Sequence, residues 1–520
     1  MIRYKEDNTR TMKLFKSKRL LKIKLTGIIL LAITLFSCNK DSTYINLPAY
    51  GPTQVFYALT TNNELTTYNA KDVRTQTAKV SITGLSTSET MLGIDFRPAT
   101  GELYGVSSLS KVYIINIATG VARAVATSPF SPVLSGTITS IDFNPTVDRL
   151  RIVTNRGQNL RLNPETGKVV ATDANVGSTS LSGIAYTNSY AGATSTVLYD
   201  IDPAAGKLYK QDPPNEGTLV SIGDLGVDLG SNVDFNISAD GANALAIGKV
   251  GDSTKLYTVS LTTGKATLAG KFVLGTTIRS IAMPSNPAAY AVDNSNNFLI
   301  FNPTLATTAI YSKSITGLQA GETIFGMDMS PVNGQIYALS SSSKIYTVNI
   351  GTAEFTQVGT LTPALSGTSV GFDFVPGTGA IQLVSNTREN LQINPTTFGI
   401  TYNPAITTAT ATLSAAAFSN NSITSTSSTL FVIDHTVDKL FSLIPTSGVL
   451  TEIAELKIGE VKLDVGSMNG FDISPNNAAY GIFTVAGKTS VYTLDLGSGL
   501  ATLKFDLSQR ITAFTLGRGF

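Results

Sequence analysis

The stretch "GIDFRPATGELYGVSS" (93–108) sets the pattern of this chain, because variants of it recur from there to the C-terminal end. The clear copies are "SIDFNPTVDRLRIVTN" (140–155), "NVDFNISADGANALAI" (232–247), "GMDMSPVNGQIYALSS" (326–341), "GFDFVPGTGAIQLVSN" (371–386) and "GFDISPNNAAYGIFTV" (470–485). Weaker copies begin near residues 183, 280, 415 and 510. The ten copies lie about 41 to 55 residues apart, which is the spacing of a repeated supersecondary unit.

Each copy contains the parts of a small antiparallel sheet. A strand is followed by a turn with Pro, Gly or Asn and by a second strand, and further strands follow as in "LYTVSLTTGKATLAG" (256–270). The "TTG" turn in that segment has hairpin length. Four short strands in about 45 residues are typical of propeller blades. The sequence therefore predicts an all-β propeller with ten four-stranded blade motifs.

The copies group into two units of five. "ITGLSTSETMLGIDF" (82–96) matches "ITGLQAGETIFGMDM" (315–329), so we expect propeller units at residues 53–284 and 285–520. The last strand, "RITAFTL" (510–516), would close one ring of ten blades by pairing with the first blade. Alternatively, "IRSIAM" (278–283) would close a first ring of five. Only "PSNP" separates that strand from the next one. This is the length of an ordinary hairpin connection within a blade, which favours the single ten-blade ring.

The N-terminal region predicts export and lipid attachment at Cys38, the only cysteine. A basic stretch precedes the apolar run "GIILLAITLF", which is too short to span a bilayer as a helix and is typical of a signal peptide. "LFSC" resembles a bacterial lipobox, and "NKDS" after it resembles the export signal of Bacteroidetes-type surface lipoproteins. We expect a signal peptide at 1–37, a tether at 38–52, and a bacterial outer-membrane lipoprotein, exposed at the surface if the export signal is functional.

Charge excludes one class of partner. Residues 1–37 carry nine basic and two acidic residues, so residues 38–520 hold 29 basic and 34 acidic ones. Such a body lacks the basic stripe that nucleic-acid binding requires, and we expect no nucleic-acid partner. The 42% hydrophobic content is enough for a sizeable core.

An aspartate occupies one position of the first strand in six copies, namely Asp95, Asp142, Asp234, Asp328, Asp373 and Asp472. The other four copies carry Ala185, Ala282, Ala417 and Ala513 there. Side chains alternate along a strand, so Asp95 points away from Ile94 and Phe96. If the aromatic side packs between blades, the carboxylates converge on the channel, where they would raise one another's pKa or hold a hard cation such as calcium. The alternative is structural: each carboxylate accepts backbone N–H groups and fixes its blade.

Two further groups of polar residues are candidates. Arg149 and Arg151 share one face of a strand, where they either pair with acids between blades or contact a ligand with the polar loop from Asn155 to Asn159. His435, the only histidine, lies in "VIDHTVDKL" between strands and is interpreted as a turn residue, because the first unit has "IDPAAGKL" there.

These blocks resemble the bacterial family of domain of unknown function 4394. The resemblance rests on the "GETxxGxDxxPxxGxxYxLSS"-type blocks, on "NPTVDRLRIVTNRGQNLRLNPETG" (144–167) and on "LYDIDPAAGKLYKQDPPNEGTLVSIGDLGVD" (198–228). It covers nearly the whole body in two copies, of which the second departs more from the pattern. The resemblance implies a propeller fold and brings no activity.

Together these observations predict an envelope-anchored, non-catalytic binding or scaffolding protein with a protein or glycan ligand. The competing hypothesis is an enzyme: a calcium-dependent hydrolase or lactonase, or a glycan-cleaving enzyme that uses paired carboxylates. The six aspartates keep this hypothesis open, and the single histidine makes it less favourable.

Overall fold

The computed structural model describes residues 51–177 and 180–520, so the predicted signal peptide, Cys38 and most of the predicted tether lie outside the described residues. The described part of the chain forms ten four-stranded antiparallel sheets, one two-stranded hairpin and a single turn of 3₁₀-helix at Pro214–Glu216. No helix within these residues is long and apolar enough to cross a membrane. The all-β propeller prediction is confirmed.

Five sheets surround a first axis, and their innermost strands contact one another in a closed circle. From the axis outwards the strands are Ile278–Ala282, Val55–Thr60, Glu64–Asn69 and Asp72–Ser81 (sheet 1); Met91–Phe96, Leu103–Ser107, Val112–Ile115 and Ala122–Ala124 (sheet 2); Thr139–Asn144, Arg149–Thr154, Asn159–Leu162 and Val169–Thr172 (sheet 3); Gly183–Tyr186, Leu198–Asp202, Lys207–Gln211 and Leu219–Asp224 (sheet 4); and Ser231–Ile237, Ala244–Val250, Ser253–Val259 and Ala266–Lys271 (sheet 5).

The other five sheets surround a second axis in the same manner. Their strands are Ile511–Leu516, Ala289–Asp293, Asn297–Phe301 and Tyr311–Ser314 (sheet 6); Ile324–Met329, Ile336–Ser340, Lys344–Asn349 and Glu354–Thr360 (sheet 7); Val370–Phe374, Ile381–Ser385, Asn390–Ile393 and Ile400–Tyr402 (sheet 8); Leu413–Phe418, Leu430–Asp434, Lys439–Ile444 and Val449–Glu455 (sheet 9); and Gly470–Ile473, Ala479–Val485, Lys488–Leu494 and Ala501–Leu507 (sheet 10). The hairpin of Lys457–Ile458 and Val461–Lys462 lies between sheets 9 and 10.

Each ring closes with its own last strand. Ile278–Ala282 pairs with Val55–Thr60 in the first ring, and Ile511–Leu516 pairs with Ala289–Asp293 in the second. The prediction of a single ten-blade ring is therefore wrong, and the chain forms two rings. The short "PSNP" connection joins the closing strand of one ring to the first strand of the other, and its length fits that link as well as a hairpin within a blade.

Burial falls from the axis outwards. All residues of Leu103–Ser107 are buried, whereas the outermost strand Tyr311–Ser314 alternates between half-buried and exposed residues. The apolar face of each inner strand packs on the neighbouring sheet; Ile94 and Phe96, for example, join the cluster between sheets 1 and 2. This packing turns Asp95, on the opposite face, towards the axis.

The two rings contact each other beside a buried ion-pair network of the first ring. Within that ring Arg97 is fully buried, and its guanidinium bonds to Asp148 and Glu165 in the loops of sheet 3. The adjoining turn meets the C-terminal end of the chain, where the Arg518 backbone N–H donates to the Thr100 carbonyl at 2.6 Å. The Arg518 side chain also pairs with Glu102 at 3.1 Å. The rings are thus packed together within one compact unit.

Candidate functional site

One residue from each inner strand points to the axis at the same level, and we call these five residues the axial layer of a ring. In the first ring the layer is Asp95, Asp142, Ala185, Asn236 and Ala282; in the second it is Asp328, Asp373, Ala417, Asp472 and Thr515. One recurring hydrogen bond defines the layers. An axial side chain that has an acceptor atom accepts a hydrogen bond from a backbone N–H group of the next sheet. That N–H group belongs to the residue directly after the axial residue of the next sheet.

In the first ring this bond appears three times. Asp95 accepts from the Phe143 N–H at 2.9 Å, and Asp142 accepts from the Tyr186 N–H at 3.1 Å. The Asn236 side-chain oxygen accepts from the Met283 N–H at 3.0 Å. Each side chain therefore links two neighbouring sheets. The sequence had left open a structural role in which each carboxylate fixes its own blade. The structure shows such bonds, and they connect one blade to the next.

The second ring repeats the bond four times. The N–H groups of Phe374, Phe418 and Leu516 donate to Asp328, Asp373 and Asp472 at 2.8, 3.0 and 2.7 Å. The Thr515 hydroxyl accepts from the Met329 N–H at 3.1 Å. The same hydroxyl lies 2.8 Å from Asp328 and 3.1 Å from Asp472.

Two assignments from the sequence are corrected by this geometry. Asp234 lies two residues before the axial Asn236, one level further along the axis, and its strand has a register shift between Ser231 and Asp234. Its carboxylate accepts from the Ile281 N–H at 2.9 Å and from the Ser140 hydroxyl at 2.9 Å. In the last copy the axial residue is Thr515, and Ala513 lies one level away. The six aspartates are thus not equivalent.

The two axial layers differ in the side chain that lies beside their first two carboxylates. In the first ring the Asn236 amide donates to Asp95 at 3.1 Å and to Asp142 at 3.2 Å, so a neutral donor bridges both carboxylates. In the second ring a third carboxylate, Asp472, occupies the equivalent place. One oxygen from each of Asp328, Asp373 and Asp472 lies within 4.8 Å of the others.

Burial dominates the electrostatics of both layers. It raises the pKa of Asp95 to about 7 and that of Asp328 to about 6, in spite of the N–H groups that each carboxylate accepts. Burial and the neighbouring Asp95 raise the pKa of Asp142 well above its ordinary value. The pKa of Asp373 is likewise raised, by burial and then by Asp328 and Asp472. Protons or a cation must therefore neutralise part of each cluster near neutral pH.

The arginine and asparagine candidates separate into core and cleft positions. Arg151 is fully buried, lies 3.2 Å from Asp173 and contacts Asn159. Asn159 donates to the carbonyls of Ala174 and Pro214 at 3.2 and 3.1 Å. It is a buried core residue, so the hypothesis that it forms part of a ligand-binding loop is wrong.

The second ring repeats this arrangement without the charge. Asn390 donates to the carbonyls of Pro404 and Pro445, both at 2.8 Å. Gln382 donates to Asn390 at 2.8 Å, in the place that Arg151 takes in the first ring.

Arg151 thus forms an ion pair, but with Asp173, which follows the outermost strand of its own sheet, and not with an acid of the neighbouring blade as predicted. Its contacts with sheet 4 are to the neutral side chains of Tyr186 and Asn215.

Asn155 and Arg149 lie nearer the surface. Asn155 accepts from the N–H groups of Thr137 and Ile138 at 3.0 and 3.2 Å, which fixes the loop before sheet 3. Arg149 donates to the Asp148 carbonyl at 2.8 Å and lines a polar cleft of about 110 Å³ between the rings. The cleft is lined by Asp148, Arg149, Asn163, Glu165, Gln335, Thr347, Val348, Asn349, Glu354 and Thr356.

Several buried polar residues were not predicted from the sequence. Glu322 accepts from the Tyr346 hydroxyl at 2.5 Å and pairs with Lys344 at 2.9 Å; burial alone would raise its pKa, but these bonds lower it to about 2. Glu89 is its counterpart in the first ring and accepts from Tyr113 at 2.9 Å. The Glu-Thr pair that the two units share at 89–90 and 322–323 was the available signal. Asp200 has no such repeat, and burial raises its pKa to about 8.

His435 lies half-buried between Leu430–Asp434 and Lys439–Ile444, the turn that the sequence predicts.

Comparison with known families agrees with this two-ring arrangement. The model of the family described as "Domain of unknown function (DUF4394)" matches residues 64–282 and again residues 297–516. The chain belongs to this family. Each DUF4394 match ends on the strand that closes a ring, Ile278–Ala282 in the first and Ile511–Leu516 in the second. One family unit thus corresponds to one ring.

Comparison with curated proteins and with solved structures adds little to the assignment of this chain to the DUF4394 family. None of the curated proteins compared matches it significantly. Among solved structures it resembles a putative 6-phosphogluconolactonase from Bacteroides fragilis, with 12% identity and a TM-score of 0.23 over 62% of this chain and 93% of that one. The description of the fold therefore rests on the strand pairing alone.

Proposed function

We propose that this DUF4394 chain is a bacterial envelope lipoprotein, anchored through lipid on Cys38, whose two rings form a non-catalytic binding or scaffolding body. The observation that supports it is the use of the axial carboxylates: Asp95, Asp142, Asp328, Asp373 and Asp472 each accept a backbone N–H from the next sheet. A carboxylate that moved to transfer a proton to substrate would give up a bond between sheets. The axial acids thus suit structural support better than catalysis.

The cleft between the rings is the surface we propose for ligand binding. Arg149 supplies donors there, and Glu165 and Glu354 supply acceptors. Donors and acceptors together in a concave site suit a hydroxyl-rich ligand, so a glycan fits the cleft better than a protein surface does.

Lipid attachment is tested with Cys38→Ser. We expect the parent protein to incorporate labelled fatty acid and to fractionate with membranes, because several acyl chains on one residue hold a protein there. The variant should be unlabelled and either unprocessed or released. A variant that matures to the same size and stays with the membranes would contradict the anchor.

Binding is tested on a glycan panel with the variant Arg149→Ala. We expect the variant to lose affinity, whereas Arg156→Ala, an exposed arginine that does not line the cleft, should bind as the parent does. The same protein should turn over no lactone or glycan with or without calcium. Turnover that Asp373→Asn abolishes would establish the competing hydrolase hypothesis instead.

A further inference from the structure

The axial layer of the second ring combines buried negative charge with an unpartnered oxygen. Asp328, Asp373 and Asp472 are each at most 3% exposed, and one oxygen of each lies within 4.8 Å of the others. The Oδ1 atom of Asp373 has no hydrogen-bond partner among the described residues. Three carboxylates this close need a proton or a cation between them.

A small cavity adjoins this layer. It has a volume of about 20 Å³ and is lined by Gly326, Gly371, Gly470 and Ala513, each two residues before an axial residue on its strand. Because these side chains are small or absent, they leave space for about one water molecule. Asn469, only 7% exposed, also lines the cavity, and its Oδ1 has no partner in the described part of the chain.

The first ring has the same architecture, but a neutral amide bridges its axial carboxylates. The Asn236 amide bridges Asp95 and Asp142. One level away, where the second ring has glycine and alanine, the first ring has Ser140, Asp234 and Ser280. The Ser140 hydroxyl donates to Asp234 at 2.9 Å. A protein donor thus occupies the place that a cation would take.

The ligand set favours calcium. Calcium accepts about six to eight oxygen ligands in a flexible geometry, and carboxylates are common among them. Magnesium loses its hydration water reluctantly and usually keeps several water ligands. One oxygen from each of three carboxylates lies within 4.8 Å of the others, and the adjoining cavity has space for about one water, so the site suits calcium better.

We propose that the second ring binds one calcium ion on its axis through Asp328, Asp373 and Asp472, with water in the adjoining cavity as a further ligand, and that the first ring binds none. The ion neutralises the triad and stiffens the contacts between sheets 7, 8 and 10. This assignment is independent of the proposed binding function, since it concerns the stability of the ring.

The experiment is calcium titration of the full mature chain after dialysis against a chelator, by calorimetry and by thermal melting. We expect one calcium per chain and a higher melting temperature with calcium, because the ion binds only the folded ring. Magnesium at the same concentration should give a smaller shift. A parent protein that binds no calcium, or that responds equally to magnesium, overturns the proposal.

The two rings supply matched variants. Asp472→Asn introduces the arrangement of the first ring, where Asn236 holds this position, so the variant should fold and lose calcium binding by about tenfold or more. Asp142→Asn removes a carboxylate at the equivalent level of the first ring and should still bind one ion. If Asp472→Asn binds calcium as tightly as the parent, the triad is not the site.

The reciprocal variant is Asn236→Asp, which places a third carboxylate on the axis of the first ring. We expect it to bind two calcium ions per chain. A stoichiometry that stays at one would contradict the inference that the Asn236 amide is what excludes the ion from the first ring.

Discussion

At the residue scale, the axial side chains work as links between sheets. Neighbouring blades share few backbone hydrogen bonds, since each sheet pairs only within itself. The carboxylates and the Asn236 and Thr515 side chains supply such bonds at the axis, where five strands converge. Charge-assisted bonds from N–H to carboxylate are stronger than neutral ones, provided that the carboxylate is ionised.

The raised pKa values make stability depend on pH. Burial raises the pKa of Asp234 to about 7, so between about pH 4 and 7 the folded chain holds a proton that the unfolded chain has released. Stability should therefore fall as the pH rises through this range, by up to about 1.4 kcal/mol per pH unit for such a group. Urea unfolding at pH 5, 6, 7 and 8 in chelator measures it. Asp234→Asn should reduce the slope, and a parent protein that is more stable at pH 8 than at pH 5 would contradict the prediction.

Two asparagines of sheet 3 test the distinction between core and loop. Asn159→Ala should destabilise the fold by about 2–3 kcal/mol, because it removes two bonds to carbonyls and a partner of buried Arg151. Asn155→Ala should cost less, since Asn155 lies in a partly exposed loop. Chemical denaturation of both variants is the measurement, and equal losses would place Asn155 in the same structural class.

The aspartate positions show what the sequence can predict at this scale. Alternation along the strand was sufficient to place Asp95, Asp142, Asp328, Asp373 and Asp472 on an axis. It did not give the level along the axis: Asp234 and Asn236 lie two residues apart on the same face, and the bond from the Met283 N–H identifies Asn236 as the axial residue. That bond joins strands of two different sheets, which alternation within one strand does not predict. The network around Asn159 was missed because its partners, such as Pro214, are distant along the chain.

At the element scale, closure of each ring depends on one strand. Four sheets of a ring consist of consecutive strands, and the fifth takes its innermost strand from the end of that half of the chain. Local strand patterns predicted the strands of every sheet. They did not predict the partners of the two closing strands, Ile278–Ala282 and Ile511–Leu516. That choice depends on contacts more than 200 residues apart along the chain, such as Tyr57 with Ala282.

Deleting residues 510–520 tests this topology. The deletion removes the innermost strand of sheet 6 and exposes the edge of Ala289–Asp293, which favours aggregation or local unfolding. Hydrogen–deuterium exchange should show lost protection in residues 289–507 and retained protection in residues 55–282. Deletion of 517–520 alone keeps the strand and should keep the second ring folded. Loss of protection in both halves would support a single shared ring.

At the scale of the whole molecule, the contact between the rings lies beside a buried arginine of the first ring. Arg97 neutralises Asp148 and Glu165 beside the turn that contacts Arg518. Burial alone would lower the pKa of Arg97, but these two acids raise it well above the ordinary value, so the charge is retained. The contact is buried and ionic, and removal of one partner leaves the others without compensation.

Arg97→Ala should therefore destabilise the first ring by about 3–5 kcal/mol, because it leaves Asp148 and Glu165 without their cation. The first ring should then melt before the second, which calorimetry would show as two transitions. Arg74→Ala removes an arginine whose pair with Asp72 is exposed, and its melting should match that of the parent. A variant at Arg97 that melts like the parent would show that these ion pairs contribute little to the stability of the first ring.

The position of the closing strands has a consequence for the folding of the chain during synthesis. Val55–Thr60 emerges early, yet its partner Ile278–Ala282 follows only after more than 200 further residues. Until then the nascent first ring has an unpaired edge and a high contact order, both of which slow folding and favour misassembly. Slow closure of the ring would keep the chain unfolded long enough for the export that we propose, and chaperones that cover the free edge would protect it until the last strand pairs.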